Sequence, residues 1–518
     1  MKRMIPVLAL ALVTAVAGAA HAADKAPGPD HGKQEKGKEA EKAEPQPEQS
    51  VTKHTVTIGG EEIHYTATAG TLILRDGDDK PEASVGYFAY TRDDVKDAGR
   101  RPLTFAYNGG PGSSSIWLHM GALGPRRIVT EDAQPTPPPP YHVEDNAYSI
   151  LDRTDLVMID PVGTGLSRAV GDHKPEEFWG VDPDIASVGQ FIKQYVSDHD
   201  RWNSPKYLLG ESYGTTRSAG VVDYLQTREG MAFNGVVLVS VALDIEAIFD
   251  WQGNDRPYPL FLPTFAAVAY YHKVLPDQPA ELGPFLDEVR AFAAGPYVQA
   301  LMKGDKLSDS ERDAVAETIH RYTGLSTDYI KKANLRVKEG EFTEELLREH
   351  RETVGRLDAR FTGVTFDPLS QQAEYDPQSA AISSAYTAAF LDYLHHDLDF
   401  GHGKTYNVSA RVFGNWKWQH QVPGARFPLP MPNTGLDLAH AMGFNPALRV
   451  LVLNGYYDLA TPFMATEYMM SHIGLTPEIS SHIEMKYYQA GHMMYVHEPS
   501  LKKMKEDVGA FIDATDRL

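Results

Sequence analysis

The chain has 518 residues, 42% of them hydrophobic, enough for a large core and more than one structural layer. Its 70 acidic and 49 basic residues leave a net charge of −21, which argues against a nucleic-acid partner, because phosphate binding needs clustered Lys and Arg. There is no cysteine, so neither a disulfide framework nor a lipidated lipoprotein start is available.

At the N-terminus, Lys2 and Arg3 precede the apolar run IPVLALALVTAVAG and the small-residue triplet AHA at 20–22. This reads as a bacterial secretory signal peptide over residues 1–22, cut between Ala22 and Ala23. The expectation is a periplasmic or secreted protein with no transmembrane segment after cleavage, its acidity keeping it soluble. Residues 23–52 are rich in Lys, Glu, Pro and Gln with almost no large apolar side chains, the composition of a disordered linker.

A first core portion is expected over residues 53–250. From His54, alternating apolar and polar residues with glycine turns predict antiparallel strands. Short apolar runs then suit strands buried on both faces: LTFAYN at 103–108, DLVMID at 155–160, KYLLG at 206–210 and GVVLVSV at 235–241. Helical patterns such as 184–199 lie between them, so a mostly parallel sheet with helices on both faces is expected. The tract PTPPPP at 135–140 reads as an extended surface connector. Over 251–400 the strand signal gives way to helix-like stretches, including 343–361, and a helical cap insertion is expected. The core resumes over 401–518 with the strand LRVLVLN at 448–454.

Four segments bear on chemistry. GESYG at 210–214 lies between the KYLL strand and a helical stretch, the setting of a nucleophile elbow that would expose Ser212 at the edge of a sheet. NGGPGSSS at 108–115 follows the LTFAY strand and can present bare backbone N–H groups to an oxyanion. Asp458 follows the strand at 448–454, and His492 follows a glycine after EMKYYQ. Serine, then aspartate, then histidine, each after a strand, is the order of the α/β-hydrolase fold.

Together these blocks resemble the serine carboxypeptidase family. NGGPGSSS is similar to its N-G-G-P-G-C-S-S, GESYG matches its G-E-S-Y-G, and DLVMIDPVGTGLS at 155–167 resembles its strand-and-turn block. NGYYDLATP and GHMM resemble the Asp and His blocks. The resemblance implies a triad of Ser212, Asp458 and His492, an oxyanion hole formed by the N–H groups of Gly110 and Tyr213, and a serine-type carboxypeptidase acting on peptides with free C-termini. It further implies that Asn108, Gly109 and Glu211 bind the terminal carboxylate, Glu211 only while protonated. One position departs: Ala122 in GALGP stands where the family's F-E-L-G-P block has a second glutamate. Without that partner Glu211 is expected to titrate differently, and a cation could assist. Arg126 and Arg127 lie close in sequence.

No metal or cofactor is expected. The cluster Asp392, His395, His396, Asp397, Asp399 and His402 meets no ligand spacing, and its i,i+4 pairs Asp392–His396 and His395–Asp399 read as surface electrostatics. FGNWKWQHQ at 413–421 reads as pocket lining or as packing between cap and core. An esterase or acyltransferase would use the same triad, and an inactive binding protein would keep the residues without the chemistry.

Overall fold

The computed structural model describes residues 44–517; the expected signal peptide and most of the expected linker lie outside them. Strands β1 (Gln49–Ile58), β2 (Glu61–Arg75) and β3 (Pro81–Arg92) form an antiparallel meander. β1 starts inside the stretch expected to be an unstructured linker, with Gln49 opposite Gly70. The long β2 presents backbone groups that even a polar segment can pair with, so composition alone places the boundary too late.

The strands that follow are β4 (Leu103–Tyr107), β5 (Asp155–Ile159), β6 (Lys206–Ser212), β7 (Gly235–Val241), β8 (Arg449–Gly455) and β9 (Ile483–Tyr488). With β1 to β3 they form one sheet in the order β1-β2-β3-β5-β4-β6-β7-β8-β9. β5 runs antiparallel to β3, and all pairs from β5 to β9 are parallel.

Both faces of these strands are covered, and side chains alternate between two cores. Leu103, Phe105, Val157, Leu238 and Val452 face one core, shared with helices α1 (Val181–Asp198) and α2 (Tyr213–Glu229). Ala106, Met158, Val237 and Leu453 face the other. Burial on both sides explains the continuous apolar runs, and each fully buried side chain of this size contributes roughly 1.5–3 kcal/mol.

After β4 the chain crosses to β5 on one side and then returns to β6 on the other. The loops leaving β4 and β6 therefore diverge at neighbouring carboxyl ends and open a crevice, the usual ligand site of such sheets.

Between β7 and β8, helices α3 (Pro257–His272), α4 (Leu282–Phe292) and α5 (Asp309–Thr323) build a cap with its own apolar core, where Phe265 stacks on Phe342 at 4.0 Å. The segment 343–361, expected to be helical, departs from that expectation. A helix ends at Glu345, and a hairpin pairs Glu352–Val354 with Thr362–Val364. Arg351 adopts φ +57°, which stops the helical turn, and Thr353 and Val354 prefer the extended chain.

Helix α6 (Pro377–His396) also lies within the expected cap, yet Ile382, Tyr386, Phe390 and Leu394 pack into the main core with helix α7 (Glu498–Thr515). Asp392 pairs with His396 at 3.0 Å as expected on a helix. The pair His395–Asp399 does not form, because α6 ends at His396 and Asp399 turns to His402 at 2.9 Å. Among the described residues no helix is long and apolar enough to cross a membrane.

Candidate active site

Ser212 occupies the turn between β6 and α2 with φ 60° and ψ −129°, a conformation that costs a non-glycine residue about 1–3 kcal/mol. Its neighbours make the turn possible. A Cβ on Gly210 would overlap the Gly214 carbonyl and the Ser218 hydroxyl, and one on Gly109 would overlap the amides of Tyr213 and Gly214. The glycines thus let the loop after β4 press against the elbow, which brings Gly110 and Tyr213 to the same cavity. The loop is braced from outside: Ala410 N–H donates to Gly112 O at 2.7 Å, and Ser114 N–H to Val408 O at 3.0 Å.

Asp458 follows β8 and is fully buried. Its Oδ1 accepts the N–H groups of Ala460 (2.8 Å) and Thr461 (2.9 Å), while Oδ2 accepts the Thr461 hydroxyl (2.5 Å) and His492 Nδ1–H (2.8 Å). Four donors fix the carboxylate, which in turn fixes the tautomer of His492 and leaves Nε2 free. Burial disfavours the imidazolium, but the charge and hydrogen bond of Asp458 outweigh it and raise the pKa of His492. No hydrogen bond joins Ser212 Oγ to His492 among the described residues, although both line the cavity.

The histidine loop leans on the cap. His492 N–H donates to Leu357 O at 2.6 Å, and Gly491 N–H to Asp358 Oδ2 at 3.0 Å. Asp358 is in turn clamped by Arg360 at 2.7 Å. None of this is visible in the sequence, where the segment that delivers these residues has helical composition.

Asn108 and Glu211 are both buried at the cavity's base. Asn108 Nδ2–H donates to Glu211 Oε1 at 2.8 Å, and its Oδ1 accepts Leu118 N–H at 3.0 Å. Burial, opposed by His492 and by hydrogen bonds, pushes the Glu211 carboxyl up to about 7. Ala122 is buried, and the space beside Gly121 is filled by the Tyr386 hydroxyl and the Tyr495 ring. These two tyrosines thus fill the space that a side chain at position 121 would need.

Arg217 was not singled out in the sequence, where nothing distinguishes it from other helix residues. It is fully buried under the loop, bonds Asp184 at 2.8 Å and donates to Asn108 O at 2.8 Å. Arg126 and Arg127 pair with Asp145, Glu144 and Glu498 and do not line the cavity. Its arginine is instead Arg356, from the cap hairpin.

The cavity, about 570 Å³, holds Ser212, His492, Glu211, Asn108, Gly109 and Gly110. One wall is aromatic: Phe249, Phe413 and Trp418 have ring centroids 5.2–6.3 Å apart, with Tyr213 at 6.2 Å from Trp418. Trp416 packs on Tyr213 at 5.3 Å, so the tryptophan-rich segment serves both as lining and as packing. Its neighbour His420 is held between Asp182 (2.6 Å) and Asp437 (2.8 Å).

The serine carboxypeptidase family model matches residues 76–234. That stretch includes the loop after β4, β5 with its turn, and the Ser212 elbow, and the match shows the resemblance there. No curated protein matches the chain significantly. Among solved structures, the chain is similar to a prohormone-processing carboxypeptidase from Saccharomyces cerevisiae at 13% identity and a TM-score of 0.51, over 87% of this chain and 91% of that one. At that identity the likeness shows the fold, an α/β-hydrolase. A putative aryl esterase from Burkholderia cenocepacia is a looser likeness, with 11% identity and a TM-score of 0.32 over 89% and 98% of the two chains.

Proposed function

We propose that this hydrolase of the serine carboxypeptidase type removes C-terminal residues from peptides in the periplasm or outside the cell, through an acyl-enzyme. His492 Nε2 takes the proton of Ser212 Oγ as the oxygen attacks the carbonyl of the last peptide bond. Asp458 holds the resulting imidazolium. The N–H groups of Gly110 and Tyr213 donate to the carbonyl oxygen as negative charge develops on it, each worth about 3–4 kcal/mol in the transition state. The imidazolium then protonates the leaving amino group, and water, activated by the same histidine, releases the shortened peptide.

The observation that carries the carboxypeptidase reading is the buried Asn108–Glu211 pair in the same cavity as Ser212 and His492. A carboxyl held neutral by burial donates a hydrogen bond to a carboxylate, whereas an ester or an internal peptide offers it no such partner. Gly109, pressed between the elbow and Asn108, adds a backbone donor.

The test compares a blocked dipeptide bearing a free C-terminus with its amide and its ester, from about pH 4 to 8. A marked preference for the free acid is expected. Indifference to the terminal carboxylate would leave an esterase or acyltransferase. Fluorophosphonate labelling that is absent in Ser212→Ala is the companion readout, and no labelling of the folded wild-type chain would point to a binding protein.

A further inference from the structure

The residues lining the active cavity include a single side chain with a permanent positive charge, Arg356. Its backbone is tied on both sides. Arg356 N–H donates to Asp376 Oδ2 at 2.7 Å, and its carbonyl accepts Leu459 N–H at 3.0 Å, one residue after the triad aspartate. The next residue repeats the pattern, with Leu357 N–H on Asp376 Oδ2 at 3.0 Å and Leu357 O on His492 N–H at 2.6 Å. Asp376 also caps α6, whose first turns place Ser379, Ile382 and Ser383 on the cavity wall. The Cα of Arg356 is therefore held in register with both Asp458 and His492.

Its side chain is held far more loosely, by one ion pair. Among the described residues the guanidinium makes no hydrogen bond, and the one carboxylate within ion-pair reach, Glu339, lies at 3.6 Å. The side chain is 47% exposed. The arginines with structural roles in this protein are engaged differently: Arg217 and Arg360 each use several N–H donors on buried carboxylates. Arg356 is a fixed backbone position whose guanidinium makes no hydrogen bond, set between the active cavity and the neighbouring cavity that Glu339 lines.

Resting on the carboxypeptidase reading above, we propose that Arg356 recognises a carboxylate of the substrate, in first place the terminal one. Ala122 removes the second acidic group that the family block supplies, leaving Glu211 as the only acid on the cavity wall. A planar guanidinium grips a carboxylate through two parallel N–H···O bonds, and the 3.6 Å contact with Glu339 leaves those donors free to do so. The hairpin that carries Arg356 thus couples recognition to the loops of Asp458 and His492 that it buttresses.

The experiment measures kcat/KM near neutral pH for two substrate pairs, with wild type, Arg356→Met and Arg356→Lys. The first pair is a blocked dipeptide as free acid and as amide; the second carries Asp or Asn at its terminal residue. Arg356→Met is expected to cut the acid-to-amide ratio about 10- to 100-fold, with Arg356→Lys in between. Loss confined to the Asp/Asn ratio would keep the carboxylate but make it the side chain's. Both ratios unchanged in a folded Arg356→Met protein, its melting temperature matching wild type, would overturn the proposal. Fluorophosphonate labelling of wild-type Ser212 separates this result from failure of the acyl-enzyme reading, which predicts that label whatever Arg356 does.

Discussion

Asn108 Nδ2–H donates to Glu211 Oε1 at 2.8 Å, joining the residue after β4 to the residue before Ser212 on β6. The two strands are parallel neighbours, with Tyr107 opposite Gly210, so the bond spans the carboxyl ends where the sheet's connections diverge. It ties the loop after β4 to the Ser212 turn and leaves the second carboxyl oxygen of Glu211, a residue of the cavity wall, without a hydrogen bond.

Glu211 predicts a pH signature specific to free acids. Its carboxyl, pushed up to about 7 by burial, is neutral and donating below that pH and anionic above it. KM for a free-acid substrate should rise as pH increases through 7, while KM for the amide should not. Glu211→Gln stays neutral throughout and should flatten the rise. The reverse trend, with KM for the free acid falling as pH increases, would exclude a carboxylate-binding role for Glu211.

Asp458→Asn should lower kcat by about 10⁴-fold with little change in KM. The amide donates where the carboxylate accepts, so it favours the wrong tautomer of His492 and cannot stabilise the imidazolium. Steady-state kinetics on the free-acid substrate checks this, with Ser212→Ala as the background.

Arg217 and Asp184 form a buried pair under Asn108. Arg217→Met strands the carboxylate and should cost about 3–5 kcal/mol of stability in urea unfolding. The double change Arg217→Met with Asp184→Leu should recover much of that loss. Activity should remain impaired in both, because the Asn108 carbonyl loses its donor either way.

His420 should make stability fall on the alkaline side. Burial opposes its charge, but hydrogen bonds and charges from Asp182 and Asp437 outweigh it and raise its pKa to about 9. A raised pKa means the folded state holds this proton more tightly than the unfolded chain. The stabilisation is therefore fully present below about pH 6.5 and is lost as pH rises through 9. Melting temperature followed from pH 6 to 10 should drop in wild type and much less in His420→Gln.

Much of the scaffold was legible because its signals are local. Runs such as GVVLVSV are apolar at all positions but Ser240 because both faces of β7 are buried, and that requirement is written into consecutive residues. GESYG announces a turn that only small residues permit. The order of Ser212, Asp458 and His492 follows from the order of strands that end in loops.

What escaped had no local signature. A stretch rich in Glu and Arg at 343–361 has helical composition, yet one residue with positive φ and a β-branched pair turn it into a hairpin. α6 reads as part of the cap, but its apolar face belongs to the main core. Closeness in sequence to Ala122 does not place Arg126 and Arg127 in the site, and the fold commits them to surface carboxylates.

The sequence by itself determined the sheet, the elbow and the identity of the candidate nucleophile, acid and base, because each is encoded by spacing within a single strand and its loop. Only the tertiary structure decided which charges meet in the cavity. Arg356 reaches it through a hairpin braced on Asp458's loop and on His492, more than a hundred residues away in the chain. A charged side chain carries no periodicity that declares its destination; packing between distant segments assigns it.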